Sequence, residues 1–103
     1  MQFQLVLQFA GHACPALDDL VALEDELAGH IPTNAVVDGH DIGSGEANIF
    51  ILTSDPTLTF SAIIPILRER GRLKGMRAAY RPEASENYVN LWPEGWAGPF
   101  NVR

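Results

Sequence analysis

DGHDIGSGEANIFI, residues 38–51, gathers two Asp, a His, a Glu and an Asn around three glycines. Apolar and polar residues alternate on both sides of Gly43-Ser44-Gly45, which is the mark of two strands joined by a tight turn. The stretch therefore reads as a hairpin, with strands over 33–42 and 46–54. Taking residues 43–45 as a three-residue loop, Gly45 supplies the left-handed conformation that such loops require. Ile42 then faces Glu46, His40 faces Asn48, and Asp38 faces Phe50. Val37, Gly39 and Asp41 share the other side with Ala47, Ile49 and Ile51, which reads as core. A two-residue loop would move the pairing by one and exchange the faces.

Upstream, QFQLVLQF places Phe3, Leu5, Leu7 and Phe9 on one side and Gln2, Gln4, Val6 and Gln8 on the other, a strand with one wetter face. GHACP turns the chain. A helix follows, with Pro15 in its first turn and Asp18 and Asp19 at its positive end. Its apolar stripe is Leu17, Leu20, Val21, Leu27 and Ala28, with Glu24, Asp25 and Glu26 mostly away from it, and Gly29 closes it. Downstream, SDPTLTFSAIIPILRERG reads as a second helix, capped by Asp55 with Pro56 at its first position. Its stripe is Phe60, Ile63, Ile64 and Leu67. Pro65 predicts a kink or an early break, and Gly71 ends the helix. RLKGMRAAYR reads as a fourth strand whose Arg and Lys suit a sheet edge.

The order βαββαβ predicts a ferredoxin-like α+β fold over residues 1–81: a four-stranded antiparallel sheet with two helices on one face. Residues 82–103 hold two Trp, a Tyr and a Phe among Pro and Gly, too aromatic for a disordered tail. YVNLW within them is a candidate fifth short strand, and the rest is expected to wrap over the sheet or a partner subunit. The βαββαβ order, the DGHDIGSGEANIF hairpin, the TSDP helix start and the late LWPEG together resemble a family of small uncharacterised bacterial proteins. That resemblance implies the fold and assigns no catalytic residue.

The 103 residues fit one domain, and 47% hydrophobic content supports one packed core. No run of about 18 apolar residues could span a bilayer. MQFQLVLQF lacks the basic start and solid apolar block of a signal peptide, so a cytoplasmic setting is expected. The single cysteine, Cys14, excludes an internal disulfide and a Cys-based zinc cage. Charge is segregated: residues 1–67 carry nine acidic and no basic side chains, and residues 68–103 carry seven basic and four acidic ones. A −9 segment thus precedes a +3 segment, a polarity that can orient self-association or attract a basic partner. Nucleic acid needs a broad basic face and is not an expected partner.

Candidate chemistry is sparse. Asp38, His40 and Glu46 share a face in the three-residue register and are the candidate metal or enzyme centre. Alternate strand residues lie roughly 7 Å apart, so convergence on one ion needs a bend. The calcium-loop pattern fails, because His40 and Ile42 stand where acids are required. Cys14 near a helix start with His12 close by is a candidate reactive pair, and it equally fits a small residue in a turn. GSGEAN joins two strands and lacks the Lys-Ser/Thr ending of a phosphate loop. The basic run Arg68, Arg70, Arg72, Lys74, Arg77 and Arg81 suits an anion or an acidic helix, or only a helix end followed by a strand edge.

The expectation is a non-enzymatic binding or protein-interaction module with no cofactor, acting as a homodimer. Its contact residues are Asp38, His40, Glu46, Asn48 and Phe50 on the open sheet face and Tyr88, Trp92 and Trp96 in the extension, since aromatic residues are typical of interfaces. Two rivals stand beside it: a small enzyme or metal protein centred on Asp38, His40 and Glu46, and an acidic immunity-type inhibitor of a basic toxin.

Overall fold

The computed structural model describes residues 2–102. Its elements are β1 (Phe3–Ala10), a single 3-10 turn (Gly11–Ala13), α1 (Leu17–Ala28), β2 (Ala35–Gly43), β3 (Glu46–Thr53), α2 (Pro56–Glu69), β4 (Met76–Pro82) and β5 (Val89–Trp92). The sheet is antiparallel, open and five-stranded, in the order β2-β3-β1-β4-β5. This corrects the four-stranded ferredoxin-like assignment. Val89–Trp92 pairs with β4, setting Tyr80 opposite Val89, Ala79 opposite Asn90 and Ala78 opposite Trp92. The strand predicted to lie at the edge is therefore internal. Its Arg77 and Arg81 do not guard an edge; they sit on the outer sheet face opposite Gln8 and Gln4 of β1.

Both helices lie on the face opposite to that one. Leu5, Leu7 and Phe9 of β1 join Ile49 and Ile51 of β3, Met76 and Ala78 of β4, Leu20, Leu23 and Leu27 of α1, and Phe60, Ile63 and Leu67 of α2 in one buried core. The α1 stripe differs from the one expected. Leu23 is buried, while Leu17 is 50% and Val21 37% exposed. The buried positions 20, 23 and 27 keep three-and-four spacing but form a narrow seam, and the wider stripe read from composition overran it.

Local chemistry sets the ends of α2. Asp55 Oδ1 accepts the Leu58 backbone N–H at 3.1 Å, and Pro56 occupies the first turn. At the other end Gly71 has φ 69°. The Arg72 N–H donates to Leu67 O at 2.7 Å and the Gly71 N–H to Arg68 O at 3.0 Å, the paired bonds of a Schellman stop. The expected break at Pro65 does not occur, for the helix runs on to Glu69. Pro65 lies on the exposed side of the helix, where the carbonyl it leaves unpaired can be solvated.

The hairpin settles the register. Ser44 (φ 55°) and Gly45 (φ 75°) form a two-residue turn between the Gly43–Glu46 pair. Two consecutive positive φ angles are the geometry that matches strand twist in the tightest hairpins. The pairs are Ile42 with Ala47, Asp41 with Asn48, His40 with Ile49 and Gly39 with Phe50, each one step from the three-residue register. A bulge between Val37 and Gly39 absorbs the step, so that Val37 returns opposite Ile51 on the core side. Ser44 is the only described non-glycine residue with positive φ, and that conformation costs an L-residue with a Cβ free energy that Asn or Gly largely avoids. Ser44→Asn should stabilise the chain by about 0.5–1 kcal/mol. A denaturation midpoint that rises with an unchanged slope checks this; a fall would contradict the positive-φ turn.

Candidate functional site

The register separates the residues that the sequence grouped. Glu46, Asn48 and Phe50 lie on the outer face, opposite Ala10, Gln8 and Val6 of β1. His40, paired with Ile49, lies on the helical side. Asp38 is the extra residue of the bulge and is exposed. The candidate centre Asp38, His40 and Glu46 is thus divided between the two faces of the sheet. Among the described residues no group of three or more His, Cys, Asp or Glu is placed to hold a metal ion. Cys14 packs against the helical core, its thiol 3.7 Å from Pro15 O, while His12 is exposed.

His40 has a partner that the sequence did not reveal. Its Nδ1–H donates to Glu24 Oε1 of α1 at 3.0 Å, with the two side chains 30% and 15% exposed. Glu24 lies outside the apolar stripe expected for α1. It directly follows the buried Leu23, so it borders the seam and leans over β2. The signal was present in the spacing, but only with the correct α1 seam and the two-residue turn in hand.

The outer face is partly roofed by the chain's own C-terminal segment. Tyr88, Trp96, Phe100 and Val102 pack with Val6, Ala79 and Phe50. Val6 is fully buried in consequence and Phe100 is 8% exposed. Polar groups clip the roof to the sheet. The Gln8 amide Nε2 donates to Asn101 O at 2.7 Å and to Asn48 Oδ1 at 3.2 Å, and Asn48 Nδ2 donates to Glu46 Oε2 at 3.2 Å. Asn90 Nδ2 donates to Trp96 O and Gly98 O at 3.3 and 2.9 Å. The Arg77 guanidinium stacks over the Trp96 ring at 4.4 Å, and Tyr88 tilts against Phe100 at 4.8 Å. Trp92, grouped with Trp96 by composition, is on the other side. It packs toward Phe60 at 6.4 Å and its Nε1–H donates to Leu73 O at 3.2 Å. Of the three aromatic residues singled out from the extension, two roof the outer face and one completes the helical core.

Strand order turns the linear segregation of charge into a spatial one. The acidic strands β2 and β3 occupy one side of β1, and the basic β4 occupies the other. α1 lies against β2, where Glu24, Asp25 and Ala28 border a hollow with Val37 and Gly39. Asp18, Asp19 and Asp25 on α1 and Asp38 and Asp41 on β2 are all exposed, Asp41 toward the outer face. The same two elements carry four of the six large apolar side chains that are exposed among the described residues: Leu17, Val21, Val36 at 55%, and Ile42. Several basic groups are already engaged. Arg70 Nε and its terminal amine donate to the two Glu26 carboxylate oxygens at 2.8 and 3.0 Å. Those hydrogen bonds hold the Glu26 carboxyl below its ordinary range and push the Arg70 guanidinium above its own. A terminal nitrogen of Arg81 donates to Ser85 O at 2.9 Å and to Glu83 O at 3.2 Å.

No family model, curated protein sequence or solved structure matches this chain. Among the described residues no helix is long and apolar enough to cross a membrane.

Proposed function

We propose that this protein works by binding, as a protein-interaction module whose contact surface is the α1–β2 flank and whose partner is a basic protein. The observation that carries this reading is the coincidence of exposed apolar and exposed acidic side chains on two adjoining elements. Leu17, Val21, Asp18 and Asp25 are exposed on α1, and Val36, Asp38, Asp41 and Ile42 on the edge strand β2, with Ile42 toward the helical face and Val36 and Asp41 toward the outer one. Apolar groups supply contact energy, while carboxylates steer a cationic partner and set its orientation. β2 has one unpaired edge, but the bulge at Asp38 and the flanking charges oppose strand addition there. Side-chain contact is the favoured mode.

A second copy of the chain is the weaker occupant. The basic side it would offer has Arg70, Arg77 and Arg81 already engaged by Glu26, Trp96 and backbone carbonyls. An inhibitor of a basic toxin falls within the proposed reading. The test is titration of ¹⁵N-labelled protein with a Lys/Leu-alternating decapeptide. Shifts confined to α1 and β2, and binding at least tenfold weaker in an Asp25→Asn/Asp38→Asn/Asp41→Asn variant, are expected. Shifts spread evenly over the surface would defeat the proposal. Concentration-dependent shifts of the same residues without peptide would assign the flank to self-association instead.

A further inference from the structure

The β1–α1 connection and the α2–β4 connection border a cleft of about 580 Å³. Its charged or titratable side chains are His12, Arg72 and Lys74, and no acidic residue lines it. Gly11 and Gly71 form bare stretches of its wall, with φ of 57° and 69° and no atom within 4 Å of where a Cβ would stand. These glycines let a ligand approach the main chain closely. A second hollow adjoins across Lys74 and Gly75, lined by Arg77, Trp92 and Pro93 and again by no acid. In a chain of net charge −6, two neighbouring hollows with only basic charged groups are a local reversal of sign.

The cations are carried on anchored backbone. The Arg72 N–H is tied to Leu67 O by the helix stop, and Leu73 between Arg72 and Lys74 packs into the core while its carbonyl accepts the Trp92 indole N–H. The Gly11 N–H donates to Gly45 O at 3.0 Å, fixing the facing wall to the hairpin turn. A Cβ on Gly75 would fall 2.9 Å from the Ala13 Cβ, so the two connections touch at the base of the cleft. Less ordering free energy is lost on binding to such a site than to cations on free loops.

We propose that this cleft binds a small oxyanion-bearing ligand, its phosphate or carboxylate held by Arg72 and Lys74 beside His12, and its apolar body laid toward Trp92 and Pro93. Guanidinium and ammonium groups are the usual partners of such anions. The site is independent of the acidic flank.

The test is titration of ¹⁵N-labelled protein with inorganic phosphate, citrate and phenyl phosphate, following the Gly11, Gly71 and Gly75 amides and the Trp92 indole. Saturable shifts at the three glycines are expected, and phenyl phosphate should bind more tightly than inorganic phosphate while moving the Trp92 indole. Phosphate or citrate as the stronger of the two identifies the anionic group. Arg72→Gln/Lys74→Gln should weaken binding at least tenfold with an unchanged melting temperature, and Arg68→Gln, outside the cleft, should leave it unaltered. Absence of saturation with all three anions overturns the proposal. So does equal weakening by Arg68→Gln, the signature of unspecific charge attraction.

Discussion

Phe100→Ala is expected to destabilise the protein by about 3 kcal/mol, at the low end for truncating a buried aromatic side chain. Phe100 is 8% exposed although it lies beyond the last strand, because it seats on Val6 and Ala79 and against Tyr88. The low end applies because one sheet face and a single segment enclose it, which leaves room for the cavity to collapse. For a domain of this size the melting temperature should fall by about 12–24 °C. Val6→Ala should couple to it, with an interaction of about 0.5–1.5 kcal/mol in a double-mutant cycle, since the two side chains share one cluster. A cost below about 1 kcal/mol with no coupling would mean that the segment does not roof the sheet.

Leu7→Ala should cost more, about 3–4 kcal/mol, within the range for emptying a leucine site in a closed core. Leu7 is fully buried at the centre of the sheet, between Ile49 of β3 and Ala78 of β4 and beneath both helices. Neighbours on every side prevent collapse of the void, so the transfer and cavity contributions both count. The denaturation midpoint should fall with little change in slope. Leu7 and Phe100 belong to separate clusters on opposite faces, so the two losses should add to within about 0.5 kcal/mol. Strong non-additivity would show that the faces are not independent.

Several elements were legible because their causes are local. The β1 alternation, the Asp55–Pro56 start of α2 and its stop at Gly71 all rest on neighbouring residues acting on one stretch of backbone, and all are present. The hairpin was legible as a hairpin, but its register was not. Gly43 and Gly45 both permit left-handed backbone, and the choice fell on Ser44 and Gly45, leaving Gly43 in the ladder with Glu46. One residue of difference sent His40 to Glu24 and Asp41 to the outer face. Composition likewise could not distribute the aromatic residues of the extension. Trp92 and Trp96 are four positions apart, yet one packs toward Phe60 and the other stacks on Arg77.

Alternation, capping and turn chemistry in the sequence alone determined two helices, the first four strands and a charge that changes sign along the chain. They act over a few residues, and a linear reading captures that range. Tertiary structure alone decided that β4 is internal, that Val6 is buried, and that the acidic β2 and β3 and the basic β4 lie on opposite sides of β1. Each of these depends on which distant segment arrives as a neighbour. Val89–Trp92 beside β4 and Phe100 over Val6 are contacts between residues far apart in the chain, selected by the free energy of burying apolar surface and pairing backbone groups across the whole fold.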